Sequence, residues 1–421
     1  MKNEKCYITG PTHLSGDIKI SGSKNSALPI MITSILSEKP IELHNVPMLQ
    51  DTKNIIKILT KLKVKIKVKK TIYIDSSDIK NCTIPNDMTK KTRASIWILG
   101  PLLARFNYAK ISFPGGCKIG SRKIDLHIFG LTRLGASITI HDNHIIGSVM
   151  KKLKGTNIVL SKKSVGATIT IMSTAAVAIG ITTISNAAQE PEIIDVANFL
   201  NSLGAKIFGA GSKKIVIQGV NKLHGSIYKI IPDRIETGTF LIAAAISNGH
   251  IVCHNTQPKM LTSVLQKLTK AGAKIEIGND WISLNMNNIR PTATNIITSP
   301  YPGFPTDLQA QFTLLNLISN GTSIVTETIF ENRFIHIPEL KKMGAMAIIR
   351  KRSVFCYGVK KLNSAKITAL DLRGSASLIL AGCIAYGQTI IANSHFVTRG
   401  YENFYKKLNT IGAKIKINKS I

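Results

Sequence analysis

Charge nearly vanishes from the chain in six places and returns between them. The apolar runs are "ALPIMITSIL", "ASIWILGPLLA", "ATITIMSTAAVAIGITTI", "TFLIAAAISNGHIVCH", "QFTLLNLISNGTSIVTE" and "SASLILAGCIAYGQTIIA". Each reads as a helix, often a glycine, then a strand. A helix that is apolar all round is buried all round. A second pattern follows each run. Val196, Phe199, Leu200 and Leu203 fall at i, i+3, i+4 and i+7, as do Leu261, Val264, Leu265 and Leu268, the spacing of a half-exposed helix. Gly204 and Gly272 close these two helices, where a residue tolerant of positive φ fits best.

The second pattern carries a landmark that recurs six times. "LKVKI" centres on Val64, "LGASI" on Ala136, "LGAKI" on Ala205, "AGAKI" on Ala273, "MGAMA" on Ala345 and "IGAKI" on Ala413. Successive centres lie 72, 69, 68, 72 and 68 residues apart. Six repeats of about 70 residues therefore span the chain. Each supplies one interior helix, one half-exposed helix and several strands, which predicts an α/β protein with helices inside and sheets outside. A single core rarely grows past about 250 residues, so the 421 residues divide three repeats and three. No Pro/Gly/Ser-rich linker marks the boundary, which pattern alone places near 210 to 235.

Composition narrows the class. An apolar fraction of 44% and a charged fraction of 19% suit a soluble globular protein. The stretch from Val165 to Gln189 is uncharged but rich in Thr and Ser and broken by Gly180, so it reads as helix then strand rather than a membrane span. Six scattered cysteines form no C-x-x-C pair, which argues against a disulfide framework or a zinc site. With no apolar h-region in "MKNEKCYITG", a reducing cytoplasm is the simplest compartment.

The formal charge of +32 raises the question of a polyanion partner. Its distribution answers against one. Lys is spread along all six repeats, few aromatics accompany it, and no base-stacking platform is visible. "KLKVKIKVKK" at 61–70 alternates Val and Ile with Lys, as a strand with one buried and one wet face does. No functional nucleic-acid partner is expected, and no membrane.

One loop carries candidate chemistry. In "SFPGGCKIGSRKIDLHI", residues 112–128, Gly115 and Gly116 free the backbone around Cys117. Lys118, Arg122 and Lys123 supply positive potential, which favours a thiolate. A free cysteine is more often a small buried hydrophobe, and the other five, in apolar repeat elements or strand-like stretches, fit that reading. Lys24 and Asn25 in "GSKNSALP" look, on their own, like a solvated lysine and a turn residue. Asp307 in "PYPGFPTDLQAQF" reads as a helix-start carboxylate. His127, a lone histidine, reads as structural.

These stretches resemble the enolpyruvyl transferases, in particular the branch acting on UDP-N-acetylglucosamine. The resemblance runs from "ISGSKNSALPI" (20–30) to "TRGYE" (398–402) and includes "RASIW", "PGGCKIGSRKIDLHI", "SVGATITIM", "EPEIIDVANFL", "GFPTDLQAQF", "ETIFENRF" and "DLRGSASLILAGCIA". It implies a two-lobed inside-out α/β barrel fold of six βαβαββ repeats. The first lobe would cover 22–231, on the UDP-sugar side and bearing the Cys117 loop. The second would combine 1–21 with 232–421. The implied reaction joins the sugar 3-hydroxyl to carbon 2 of phosphoenolpyruvate and expels phosphate by addition and elimination. No metal or organic cofactor is called for, and a monomer is compatible with it.

The resemblance also implies roles. Cys117 would protonate the enolpyruvyl carbon and could form an adduct with phosphoenolpyruvate. Asp307 would hold the 3-hydroxyl and accept its proton. Lys24, Asn25, Arg122 and Arg399 would bind phosphoenolpyruvate, Arg399 from the second lobe, with Arg373 supporting. Arginine suits such anions because its planar fork donates two hydrogen bonds at once. Asn25, Arg93, Arg122, Lys123, Ile124, Asp125, Leu126, Lys162, Lys163, Ser164, Val165, Asp307 and Ile329 would bind the sugar nucleotide. The segment at 162–165 precedes a helix, whose first N–H groups suit phosphate. Lys118 and Lys163 stand where the family pattern is usually uncharged. Three rivals compete: an enolpyruvyl transferase acting on shikimate 3-phosphate, which lacks the cysteine loop; an RNA 3′-phosphate cyclase, which needs a nucleotidylated histidine; and a basic scaffold without catalysis.

Overall fold

The computed structural model describes residues 4–115, 120 and 123–419. Every repeat is built as strand, helix, strand, helix, strand, strand. Residues 157–218 show the plan. Strand Asn157–Val159, helix Val165–Ala175 and strand Ile181–Ser185 are followed by helix Pro191–Ser202 and the antiparallel strands Lys206–Phe208 and Lys214–Gln218. The four strands form one sheet in the order first, second, fourth, third. The first pair is parallel, since a helix crossover joins it, and the rest are antiparallel. All six four-stranded sheets share this order.

Three sheets are completed from far along the chain. Ser226–Lys229 supplies the first strand of the opening repeat, parallel to Ile41–His44. Gly16–Lys19 does the same for the fourth repeat, beside His250–His254. Glu4–Gly10 inserts between Gly387–Ala392 and Lys414–Lys419 in the last. The chain accordingly falls into two compact units, residues 4–21 with 232–419, and residues 22–115 with 123–231. Each has its own apolar core.

The uncharged runs are the interior helices: α1 (Lys24–Thr33), α2 (Leu99–Phe106) and α3 (Val165–Ala175) in one unit, α4 (Arg234–Ile246), α5 (Gln309–Ile318) and α6 (Leu372–Ile384) in the other. Every residue of α4 and α5 is buried. The stretch at 165–189 is helix then strand, with Gly180 at φ +88 before the strand. Among the described residues no helix is long and apolar enough to cross a membrane.

The outer helices end in the turn that the landmark anticipates. Gly135, Gly204, Gly272, Gly344 and Gly412 have φ between +91 and +107, a conformation costly for a residue with a Cβ. The first repeat makes the same turn with Lys63 at φ +69. "KLKVKIKVKK" does form a strand, Lys65–Val68, but its inner face fades outward. Val64 is buried, Ile66 half-buried and Val68 44% exposed. It is the edge strand of its sheet.

Candidate functional site

The two units present separate sets of side chains. In the unit 22–231, Ser23 caps α1 by accepting the Ser26 N–H, so Lys24 begins the helix. Lys24 is buried, against the reading of the bare sequence. Its Nζ lies 3.4 Å from Oδ2 of buried Asp51 in the first turn of helix Gln50–Lys61. A lysine held by a carboxylate in a dry site has a fixed direction. Asn25, beside it, is half-buried.

Arg93 opens the 3-10 turn Arg93–Ile98 and donates from Nη2 to the Lys123 carbonyl at 3.3 Å. It thereby tethers the strip Lys123–Ile124, after which helix Asp125–Arg133 starts with Asp125 exposed and Leu126 buried. His127 is buried, and its Nδ1 lies 2.8 Å from Thr170 Oγ1 in α3. Burial, with Arg93 nearby, pushes its pKa down to about 3, so the ring is neutral and structural as expected. Ser164 caps α3 by accepting the Ala167 N–H. Lys162 is exposed, and Lys163 donates to Gln189 Oε1 at 2.7 Å. The unexpected lysine is thus tied back to its own unit. At Gly166 a Cβ would lie 2.9 Å from the His127 ring and 3.1 Å from Trp97 Nε1, so only glycine lets α3 begin there. This unit therefore brings Arg93 to the Lys123 strip and sets the α3 N-terminus against His127.

In the other unit, Asp307 sits in the 3-10 turn Thr306–Leu308 that leads into α5. Its Oδ1 accepts from Arg333 Nη2 at 2.7 Å and its Oδ2 from Arg373 Nη2 at 2.8 Å. The arginine side chains are only 4% and 3% exposed, the aspartate 26%. The carboxylate thus reaches solvent from between two buried cations. Asp371 caps α6 by accepting the Arg373 and Gly374 N–H groups, which fixes the Arg373 backbone. The Arg373 guanidinium lies over the Tyr401 ring at 5.1 Å. Burial works against its charge, but Asp307, Tyr401 and Asp233 more than compensate, and its pKa rises.

Ile329 lies on the loop after strand Thr322–Thr326. Its N–H donates to Glu327 Oε1 at 2.8 Å, as does that of Phe330 at 3.1 Å, while Glu327 Oε2 accepts from Thr306 Oγ1 at 2.8 Å. Arg399 ends the 3-10 turn Ser394–Arg399, half-buried, and its charge helps to lower the pKa of His395, after burial. Cys117 and Arg122, together with Gly116 and Lys118, lie outside the described residues.

Sequence reasoning missed Asp51, Arg333 and Glu327. Arg333 and Glu327 stood inside the quoted "ETIFENRF", and their charge in an apolar context was the available signal. Asp51 had none, since its partner lies 27 residues away. The five described cysteines match the inert reading. Burial pushes all their thiols up, Cys356 and Cys383 to about 12.

Known proteins match the chain along nearly its whole length. The model of the EPSP synthase (3-phosphoshikimate 1-carboxyvinyltransferase) family matches residues 8–408. A protein of Buchnera aphidicola subsp. Baizongia pistaciae, named UDP-N-acetylglucosamine 1-carboxyvinyltransferase, is 68% identical over 97% of this chain and 99% of its own length. One of the same name from Baumannia cicadellinicola is 55% identical over 98% and 99%. The enolpyruvyl transferase NikO of Streptomyces tendae superposes with a TM-score of 0.90 over the whole of both chains at 22% identity. EPSP synthase of Acinetobacter baumannii reaches 0.78 over 99% of this chain and 100% of its own at 16%. These two solved structures speak to the fold. With the relatives matched from end to end, the chain belongs to the enolpyruvyl transferase family, that of EPSP synthase and of the UDP-N-acetylglucosamine 1-carboxyvinyltransferases.

Proposed function

We propose that the protein transfers the enolpyruvyl group of phosphoenolpyruvate to the 3-hydroxyl of UDP-N-acetylglucosamine and releases phosphate. The observation that carries this is the 68% identity, over 97% of the chain, to a relative of that name. Addition needs a proton for the methylene carbon, a base for the hydroxyl and cations for two anionic groups. Cys117 supplies the proton. Asp307 holds the 3-hydroxyl and takes its proton. Arg333 and Arg373 donate to its two oxygens and hold it in place. Lys24, Asn25, Arg122 and Arg399 bind phosphoenolpyruvate. Lys24 is already desolvated and aligned by Asp51, which supports its role. Arg373 acts by holding Asp307.

The sugar nucleotide lies along Arg93, the strip Lys123–Leu126, the segment Lys162–Val165 and Ile329. The hydrogen bond from Arg93 to the Lys123 carbonyl and the helix start at Val165 support that path. Lys163, engaged with Gln189, is the weakest contact of the set. The lobe 22–231 is the UDP-sugar side, and the lobe 1–21 with 232–421 carries Asp307 and Arg399. The protein is then a cytoplasmic enzyme opening peptidoglycan synthesis, with no use for nucleic acid.

The test is phosphate release from phosphoenolpyruvate. It is expected only when UDP-N-acetylglucosamine is present. Release driven by shikimate 3-phosphate instead would replace the sugar nucleotide as acceptor, and no release with either would sink the reaction.

A further inference from the structure

We infer that Glu327 is a positioning residue for this reaction, one that holds the turn bearing Asp307 in register with the loop bearing Ile329. The inference rests on the proposed reaction and adds a residue to it. Glu327 is 1% exposed. A carboxylate so dry persists only where its oxygens are occupied by donors. Oε1 takes the Ile329 and Phe330 N–H groups, and Oε2 takes the Thr306 hydroxyl. Thr306 adjoins Asp307 in the same 3-10 turn.

The loop then returns to that turn a second time, where Arg333 meets Asp307. The segment 327–333 therefore clasps the turn at both ends, through Glu327 on Thr306 and Arg333 on Asp307. Each clamp stops a different motion. Arg333 fixes where the carboxylate points, and Glu327 fixes where the turn sits relative to the Ile329 backbone. If Ile329 packs on the sugar and Asp307 holds its 3-hydroxyl, this spacing sets the distance between base and hydroxyl. Glutamate suits the task because both oxygens accept. Glutamine offers only one acceptor, and its amide would present N–H to Thr306, whose hydroxyl must then turn to accept.

Thr306→Val removes only the hydroxyl that Glu327 holds, at nearly constant volume. We expect kcat/KM for UDP-N-acetylglucosamine to fall by about 10- to 100-fold, the scale of an ångström's misplacement of reacting groups. KM for phosphoenolpyruvate should barely move, and the melting temperature should fall only by the few degrees that one unmet buried acceptor costs. Glu327→Gln should lose less, because the rotated threonine hydroxyl rescues part of the clasp. The double variant should be no worse than Thr306→Val alone, since both changes break one bond. Both single variants within about twofold of an active parent would overturn the role. So would losses that fall equally on both substrates and track the melting temperature, or additive losses in the double variant. A parent inactive with every acceptor would sink the reaction, and this role with it. An active parent with unaffected variants would sink the role alone.

Discussion

Replacing Asp307 by alanine should destabilise its unit as much as it impairs catalysis. The Arg333 and Arg373 side chains are 4% and 3% exposed, and Asp307 is the carboxylate that both touch, at 2.7 and 2.8 Å. Among the described residues, Nε and Nη1 of Arg373 and Nε of Arg333 already have no acceptor. Removing Asp307 takes from two neighbouring buried guanidinium groups the carboxylate that both touch, and leaves Arg373 only the more distant Asp233. Breaking a buried pair costs roughly 3–5 kcal/mol. Asp307 is 26% exposed, so water will screen part of this, and about 3 kcal/mol is the working figure. Replacing a second partner should reverse part of the loss. Asp307→Ala with Arg373→Met removes one buried cation and lets a thioether pack on Tyr401, recovering about 1–2 kcal/mol. The unit can be followed alone. Trp281 lies in it and Trp97, the other tryptophan, does not, so a Trp97→Phe background makes denaturant-induced fluorescence change specific, which matters when two units need not unfold together. An Asp307→Ala unit as stable as its parent would refute the reasoning, as would a double variant less stable than the single one.

Three further outcomes are expected. Lys63→Gly should stabilise by about 0.5–1 kcal/mol, because relief of left-handed strain at φ +69 outweighs glycine's greater unfolded entropy; differential scanning calorimetry reads it. His127, with its pKa depressed from 6.5 to about 3, contributes stability that is present above pH 6.5 and lost as pH falls toward 3. His127→Gln should flatten that acid limb by a few kcal/mol, and an unchanged pH profile would count against a buried neutral ring. An epoxide phosphonate should label Cys117 alone at neutral pH, as mass spectrometry would show, because burial keeps the five described thiols protonated; equal labelling at Cys253 or Cys383 would contradict this.

The repeat was legible because its signals are local. An uncharged helix advertises its burial residue by residue, and a glycine after a helix marks a turn of fixed geometry. Lys63 shows the limit, since the turn persists there without its glycine and only the landmark spacing reveals it. Sheet closure was not legible. Gly16–Lys19 and Ser226–Lys229 are four residues each, too short to carry a pattern, and their partners lie more than 180 positions away in the chain. The site was legible only through motifs. Lys24 alone reads as a solvated cation, and what makes it otherwise is Asp51, a contact that exists only after folding.

The distribution of acids explains why so basic a chain keeps an ordinary interior. It has 23 Asp and Glu against 55 Lys and Arg. Among the described residues eight acids are buried, Asp51, Glu192, Asp195, Asp233, Glu236, Glu327, Glu339 and Asp371, against four bases, Lys24, Arg234, Arg333 and Arg373. Acids are thus buried more often than bases although bases outnumber them in the chain. At least six of the eight accept backbone N–H groups: Asp195 from Ile231, Asp233 from Ile235 and Glu236, Glu236 from Ser21, Glu327 from Ile329 and Phe330, Glu339 from Thr368, and Asp371 from Arg373 and Gly374. A backbone donor cannot be substituted away, and leaving one buried and unmet costs about 1–3 kcal/mol. An exposed acid answers to no such constraint, because a surface ion pair contributes about 1 kcal/mol or less. The net charge of +32 is thus the composition of a surface free to vary, laid over an interior whose carboxylates are fixed by the chain's own amides.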